Sequence, residues 1–340
     1  MITIKTYQDY VEAVENGREL EFIKTAITEY MNSPEYKIAL DADDYEAERN
    51  VTINEFMRLI YKGDGRQVVD AAAANNKVAS NFFHRLTTQR VAYSLGNGIS
   101  FPTSQKVLQN GHWVTVDKTK EALGNDFDTV LYNAGHYARI HRVSYLFWNL
   151  DHANLFKMTE FLPLLDEETG MLRAGFRFWS LDWTKRPVTV VKYEEDGYTK
   201  YRTKKNSKGL DLELIEPKRA YIQKVAKTAV DPEEVIGEAN YSTIPIVPFW
   251  GSKHKQSDLV GMRSKIDSYD LVKSGFCNDL QDCSQVYWLI SNAMGMSDDD
   301  MEKFLDKIKY QHIAVVDTVN SGVEAHTQEI PVNARQTLIE

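Results

Sequence analysis

The densest set of side chains able to hold a metal is His136, His141, Asp151 and His152. Imidazole and carboxylate are ordinary zinc ligands, so a metal-dependent hydrolase is one alternative these residues allow. The spacing does not favour it. His136 and His141 stand five apart, off the i, i+4 pattern that puts two ligands on one helical face. Hydrogen-bonded or surface histidines are the plainer reading. The acidic run Asp41, Asp43, Asp44, Glu46 and Glu48 lacks both the Asp-x-Asp-x-Asp-Gly spacing and the turning glycine of a calcium loop. It reads as a solvated, acid-rich turn. Gly96-Asn97-Gly98 is not followed by the Lys and Ser/Thr of a phosphate loop, and a helix cap fits it better. The chain contains no nucleophile elbow, HExxH, paired CxxC or dinucleotide fingerprint, and no cofactor is expected. Tyr145, Phe147 and Trp148, and again Phe176, Phe178 and Trp179, could stack bases. Alternating as they do, they fit cross-strand core pairs better. Asp298, Asp299 and Asp300 suit either a partner contact or the acidic first turn of a helix.

The catalytic candidates thus fail to converge, and the totals point the same way. The 340 residues carry 49 acids against 40 bases, a formal charge of −9. That balance argues against a general grip on nucleic acid, which needs clustered Lys and Arg. Length and a 43% hydrophobic content allow two domains, each with a core. Cys277 and Cys283 are six apart on one predicted helix, on different faces, so reduced thiols are expected. The opening MITIKTYQDY has neither the basic nor the apolar region of a signal peptide, and no apolar run reaches the length of a membrane span.

The elements that would position these residues follow from periodicity. Residues 1 to about 60 read as helices, including Leu20 to Met31 and one opened by Ser33-Pro34 through about Leu40. Asn76 to Leu95 predicts a helix with Val78, Phe82, Leu86 and Val91 or Tyr93 inward. Asp126 to Arg142 predicts another. From Val143 the period becomes two, so residues 143 to about 226 should form an antiparallel sheet or small barrel. Hairpin turns are expected at Asp166–Gly170 and Glu194–Gly197, a basic loop at Lys204–Lys208 and a linker at Pro232–Tyr241.

The longest helical pattern runs from Ser257 to Ile290. Ser257 and Asp258 supply the cap and a first-turn acid. Leu259, Met262, Ile266, Tyr269, Lys273, Phe276, Leu280, Cys283 and Tyr287 form one stripe, apolar except for Lys273. The opposite face, with Ser264, Asp267, Ser274, Asn278, Asp282 and Gln285, carries no base. About 30 helical residues span roughly 45 Å, the length of a strut, which Gly275 could kink. Beyond it a short helix is expected to about Lys309, then strands Ile313–Asp317 and Val323–Ile330 paired as a hairpin, then a helix from Pro331. Pattern alone gives an α+β non-enzyme: helices, an antiparallel sheet, and a long strut with a small α/β tip.

Three stretches resemble the portal proteins of tailed phages, in the family common in phages and prophages of Gram-positive bacteria. They are RVAYSLGNGISF (90–101), NLDHANLFKMTEFLPLLDEETGMLRAGFRFWSLD (149–182) and the block from NYSTIPIVPFWGSKHKQSDLVGMRSKID to SQVYWLI (240–290). The closing EAHTQEIPVNARQTL follows in the same order. The resemblance implies a non-enzymatic subunit of a homo-oligomeric ring, usually of twelve, at one capsid vertex, through which double-stranded DNA is packaged and later ejected. Its implied partners are other copies of itself, the large terminase subunit, a head-completion adaptor, and capsid and scaffolding proteins. Its implied place is the virion, and the host cytoplasm during assembly, with no membrane role. Residues 1–142 would be the helical part of a wing and 143–250 its β part. Residues 251–284 would be a stem helix, 285–330 a clip, and 331–340 the start of a second stem helix. The remainder of that helix, the tunnel loop and the crown have no counterpart here, so a C-terminally truncated chain is expected. A tunnel must not grip phosphate, and the base-free face Ser264, Asp267, Ser274, Asn278, Asp282 and Gln285 would suit its wall. Asp298, Asp299, Asp300, Lys303 and Lys307 would be clip contacts for the terminase. Another ring or adaptor protein of the virion is a second reading of the same strut.

Overall fold

The computed structural model describes residues 5–61, 66–69, 73–101, 105–116, 118–179, 188–204, 209–226, 234–282, 287–290, 297, 299, 303 and 323–326. The chain divides into two compact units, Met1–Arg49 with Asn81–Ser264, and Asn50–Ser80 with Lys265–Glu340.

The first unit opens with three helices, α1 (Tyr7–Glu15), α2 (Glu19–Asn32) and α3 (Pro34–Glu46). Thr6 and Asp9 form a reciprocal capping box on α1. Ser33 Oγ accepts from the Tyr36 N–H at 3.2 Å ahead of Pro34, as the Ser-Pro pair predicts. Helix α3 runs past Leu40 and takes in Asp41 to Glu46, which the sequence alone reads as a turn. Side chains from other elements occupy these acids: Arg263 meets Asp41, His141 meets Asp43, and His84 and His136 meet Glu46. Helix propensity and solvation of acids are local quantities; hydrogen-bonding side chains arriving from distant positions override them.

Later in this unit come α5 (Phe82–Leu95), α6 (Lys118–Leu123) and α7 (Phe127–His141); α4 belongs to the second unit. The expected start of α5 at Asn76 is corrected to Phe82, and its buried side chains are Phe83, Thr87 and Val91. Phe82 and Leu86 are exposed, and so is Tyr93 at 95%. The inward face is therefore rotated by one residue from the one that simple periodicity selects.

The strands of the first unit make a five-stranded antiparallel meander, a three-stranded sheet and two separate hairpins. The meander is β7 (Phe161–Leu165), β8 (Leu172–Trp179), β9 (Thr189–Glu194), β10 (Gly197–Thr203) and β11 (Leu212–Arg219), each beside the next. The smaller sheet has the order β14 (Ile246–Trp250), β5 (Val143–Asn149), β6 (His152–Lys157). The hairpins are β3 (Gln105–Gln109) with β4 (His112–Val116), and β12 (Ile222–Ala226) with β13 (Glu234–Ala239). Strand β13 replaces much of the linker expected at 232–241. Val235 faces Val225 across the pair, and cross-strand contact holds the segment extended.

Alternation along these strands separates two cores. Phe176, Phe178, Val190, Leu162 and Leu164 pack with Phe22, Ile23 and Ile27 of α2. Their neighbours Val191, Tyr193 and Phe161 pack instead with Tyr145, Phe147 and Phe156 of the smaller sheet. Consecutive strand residues point to opposite faces, so the meander is covered by helices on one side and by a second sheet on the other. The two aromatic runs that could have stacked bases are core: Phe147 lies 5.5 Å from Phe156, and Phe178 is 1% exposed.

The second unit contains α4 (Val51–Glu55), the hairpin β1 (Leu59–Tyr61) with β2 (Gln67–Val69), and the pair β15 (Tyr287–Ile290) with β16 (Val323–His326). Helix α8 (Asp258–Asp282) begins in the first unit and continues into the second. It passes unbroken through Gly275. One expectation is corrected at its far end. The helical pattern does not continue to Ile290, because Tyr287-Trp288-Leu289-Ile290, rich in aromatic and branched residues, forms a strand. Val323–His326 pairs with that strand, in the register Tyr287↔His326. The expected Ile313–Asp317 strand, the helix from Pro331 and most of the basic loop at 204–208 lie outside the described residues.

Candidate functional site

Helix α8 carries the residues that sequence reasoning singled out, and its first turn is fixed within the first unit. The Ser257 hydroxyl donates to the Ile140 carbonyl and accepts from the Leu259 N–H, so one side chain joins α7 to the start of α8. Asp258 is held by Arg90 of α5 at 3.0 Å and Arg139 of α7 at 3.4 Å. An acid at a helix N-terminus is favourable by itself, and the two guanidinium groups make it a junction of three helices. One turn later Arg263 reaches Asp41 at 2.6 Å and stacks over the Tyr45 ring at 5.7 Å.

In the second unit the polar row of α8 is occupied by the segment that runs from Asn50 to Val78. Asn50 caps α4 through the Ile53 N–H and donates its side-chain amide to Asp270 at 2.8 Å. Thr52 donates to Asp267 at 3.0 Å. The Val78 N–H donates to Ser274 Oγ at 3.0 Å, and Asn76 donates its backbone N–H to Asn278 Oδ1 at 2.6 Å. The Asn76 side chain adds bonds to Asn278 and Gln281 at 3.1 and 2.8 Å. Asp270, Ser274 and Asn278 are buried. The residues ahead of α5 are non-helical here. Their backbone amides need acceptors, and α8 supplies them from side chains spaced four apart.

Of the six residues expected on one open face, Ser274 and Asn278 are therefore covered in the single chain, and Asp267 is bonded to Thr52. Ser264 is exposed. Asp282 ends the helix, and Gln285 lies outside the described residues. On the stripe expected to be apolar and packed, Leu259 and Ile266 are buried, while Tyr269 and Leu280 are exposed at 40% and 39%. The buried row is Leu259, Ile266, Asp270, Ser274 and Asn278. Asp270, Asn50 and Asn76 escaped the sequence reading. Asp270 sits at i+4 from Ile266 and i−4 from Ser274, and that spacing was the available signal. Of the clip residues, Asp299 and Lys303 are helical and exposed, and Asp298, Asp300 and Lys307 fall outside the described residues.

The histidine set divides among separate carboxylates. His136 Nε2 and His84 Nδ1 meet the same oxygen of Glu46, at 2.9 and 2.7 Å. His141 Nε2 meets Asp43 at 2.7 Å. His152 pairs with its neighbour Asp151 at 2.7 Å on an exposed turn. Among the described residues no group of three or more side chains could hold a metal ion. Burial alone would raise the Glu46 pKa. The bonds from His136 and His84 outweigh it and hold the carboxyl below its ordinary value. No helix among the described residues is long and apolar enough to cross a membrane.

Helices and antiparallel sheets, with a 25-residue helix among them, make a mixed α+β fold. Residues 40–340 match the family of phage portal proteins described as SPP1 Gp6-like, and the chain belongs to that family. The portal protein of Clostridium phage phiCD119 is 31% identical over 112 residues, covering 32% of this chain and 24% of that protein. The portal protein of Bacillus phage SPP1 is 21% identical over 300 residues, covering 83% of this chain and 54% of that protein. The chain thus spans about half the length of the SPP1 protein.

Proposed function

We propose that this chain acts as a portal subunit: a non-enzymatic member of a homo-oligomeric ring at the capsid vertex, through which double-stranded DNA enters during packaging and leaves on ejection. The family match across residues 40–340 carries the reading. Residues 1–250 serve as the wing, α8 as a stem helix, and 285–330, which include the β15–β16 pair, as the clip. Net negative charge and the base-poor polar row of α8 support a tunnel that does not hold DNA. The wall role narrows to Ser264, Asp282 and Gln285, while Asp267, Ser274 and Asn278 hold the 50–78 segment. Asp298, Asp299, Asp300, Lys303 and Lys307 offer charge of both signs to the large terminase subunit, and head-completion adaptors take over that surface afterwards. Capsid and scaffolding proteins contact the ring from outside. Negative-stain electron microscopy of the purified chain tests the reading. Rings with a central hole are expected, and exclusively single subunits at high concentration would count against self-assembly by this chain.

A further inference from the structure

We propose that a cavity in the first unit binds a small free carboxylic acid with an apolar body, and that Arg142 and the Tyr145 hydroxyl receive its carboxylate. The cavity has about 110 Å³ of room between α2 and the strands β5, β7 and β14. Met158, Leu162, Pro163, Leu165 and Trp250 give it a mostly apolar lining. Room of that size takes a ring or a chain of about six carbon atoms. It is too small for a helix or strand of a partner, so the occupant is a small molecule. All of the lining belongs to the first unit.

Two donors on this lining lack an acceptor. The Arg142 side chain makes no hydrogen bond or ion pair among the described residues, and its Nε is buried. Its guanidinium stands over the Trp250 ring at 5.5 Å. Tyr145 is 3% exposed, and its hydroxyl makes no hydrogen bond among the described residues. The neighbouring Tyr30 hydroxyl, by contrast, donates to the Met158 carbonyl at 3.0 Å. Buried donors left unpaired are rare and costly. Two on one cavity point to an acceptor that belongs there, and an ionised carboxylate, which only accepts, can take both. The charges agree. Lys255 stands over the same Trp250 ring at 4.6 Å, and Glu29 is met by Lys5 at 4.0 Å. Burial raises the Tyr30 pKa, and of the charged side chains acting on that hydroxyl Arg142 outweighs Glu35, the other acid of the lining. An anion therefore meets a favourable potential between low-dielectric walls. Arg142 also sits at φ 87°, directly after α7, where glycine is the favoured residue. Arginine adds strain there that no hydrogen bond of its own side chain offsets, and strain of this kind gathers where a ligand is held.

The test uses the full chain and phenylacetate as the probe, with acetate as the control for the apolar body and 2-phenylethanol as the control for the charge. Calorimetry should give phenylacetate a millimolar or tighter Kd, and each control should bind about tenfold more weakly or worse. Tyr145→Phe should weaken phenylacetate about three- to tenfold. Arg142→Gly should weaken it by about tenfold or more. Because glycine accepts φ 87°, the unliganded Arg142→Gly chain should melt no earlier than wild type. These results together would support the inference. Equal binding of 2-phenylethanol would overturn the carboxylate contact. Unaltered affinity in both variants, or no binding of phenylacetate at millimolar concentration, would overturn the site. If Arg142→Gly melts early, Tyr145→Phe decides alone. Weakened binding with unchanged melting in that variant would support the inference, and unchanged affinity would overturn it. None of these outcomes bears on the portal reading, on which the inference does not rest.

Discussion

Asn76 donates both its backbone N–H and its side-chain amide to one oxygen of Asn278, at 2.6 and 3.1 Å. Asn278 is buried, so this oxygen exchanges water for two protein donors. Replacing it with an apolar side chain leaves the Asn76 amide without an acceptor. Asn278→Leu should cost about 1–3 kcal/mol, and backbone amides at 76 to 78 should exchange with solvent faster while those of the meander do not change. Unchanged exchange at Asn76 would show that the bond does not hold the segment.

Lys192 is a buried cation in the first unit. Its Nζ lies 2.6 Å from Glu19 and 3.1 Å from both Glu194 and the Tyr10 hydroxyl. Removing one member of such a group leaves an uncompensated charge in low dielectric, so Lys192→Ala should destabilise by about 3 kcal/mol or more. In a double-mutant cycle with Glu19→Gln, urea denaturation should show a coupling of about 0.5–3 kcal/mol. Additive losses would mean that the two groups act independently.

Glu46 sets an acid-side limit on stability. Its folded pKa lies below the ordinary value because His136 and His84 bond the carboxylate more strongly than burial penalises it. A depressed folded pKa contributes stability that is present above the unfolded value, about 4.3, and is lost as pH falls through the folded value. The stability difference between wild type and Glu46→Gln should therefore shrink as pH falls below the ordinary carboxylate value. Denaturation midpoints between pH 3 and 7 would check this, and a difference that widened toward acid would refute the sign.

Two glycines should respond oppositely to alanine. A Cβ at Gly251, just after β14, would lie 2.1 Å from the Ala138 carbonyl oxygen of α7, which is backbone and cannot step aside. At Gly275, within α8, a Cβ would meet nothing within 4 Å. Gly251→Ala should lower the melting temperature, whereas Gly275→Ala should stabilise by up to about 1 kcal/mol through helix propensity. Stabilisation by both would overturn the close approach at Gly251.

Legibility in the sequence followed the range of the forces involved. The strands from Val143 onward were readable because alternation and Gly-terminated turns are local, and the caps at Ser33 and Ser257 were readable for the same reason. The extent of α3 was not, since Asp41, Asp43 and Glu46 are bonded by residues 222, 98 and 90 positions away. The burial of Ser274 and Asn278 on α8 was not legible either, since their partners stand 196 and 202 positions earlier. Ser274 and Asn278 are polar and buried for one reason: residues 76 and 78 bring backbone donors that no strand or helix has satisfied. Among the portal-like stretches, order along the chain conveyed the family even where individual residues gave no function.

The order of strands also sets a sequence of events as the chain emerges from the ribosome. Every pairing in the five-stranded meander joins consecutive strands, so each closes a short loop and can form as soon as its second strand appears. Strand β5 must wait for β14, whose Ile246 pairs with Phe147, 99 residues earlier. Until then the Val143–Asn149 edge is unpaired on a nascent chain whose fellow copies are being made nearby. Premature pairing between nascent chains at that edge is the misassembly this topology exposes, and slow translation between residues 220 and 246 would lengthen the exposure.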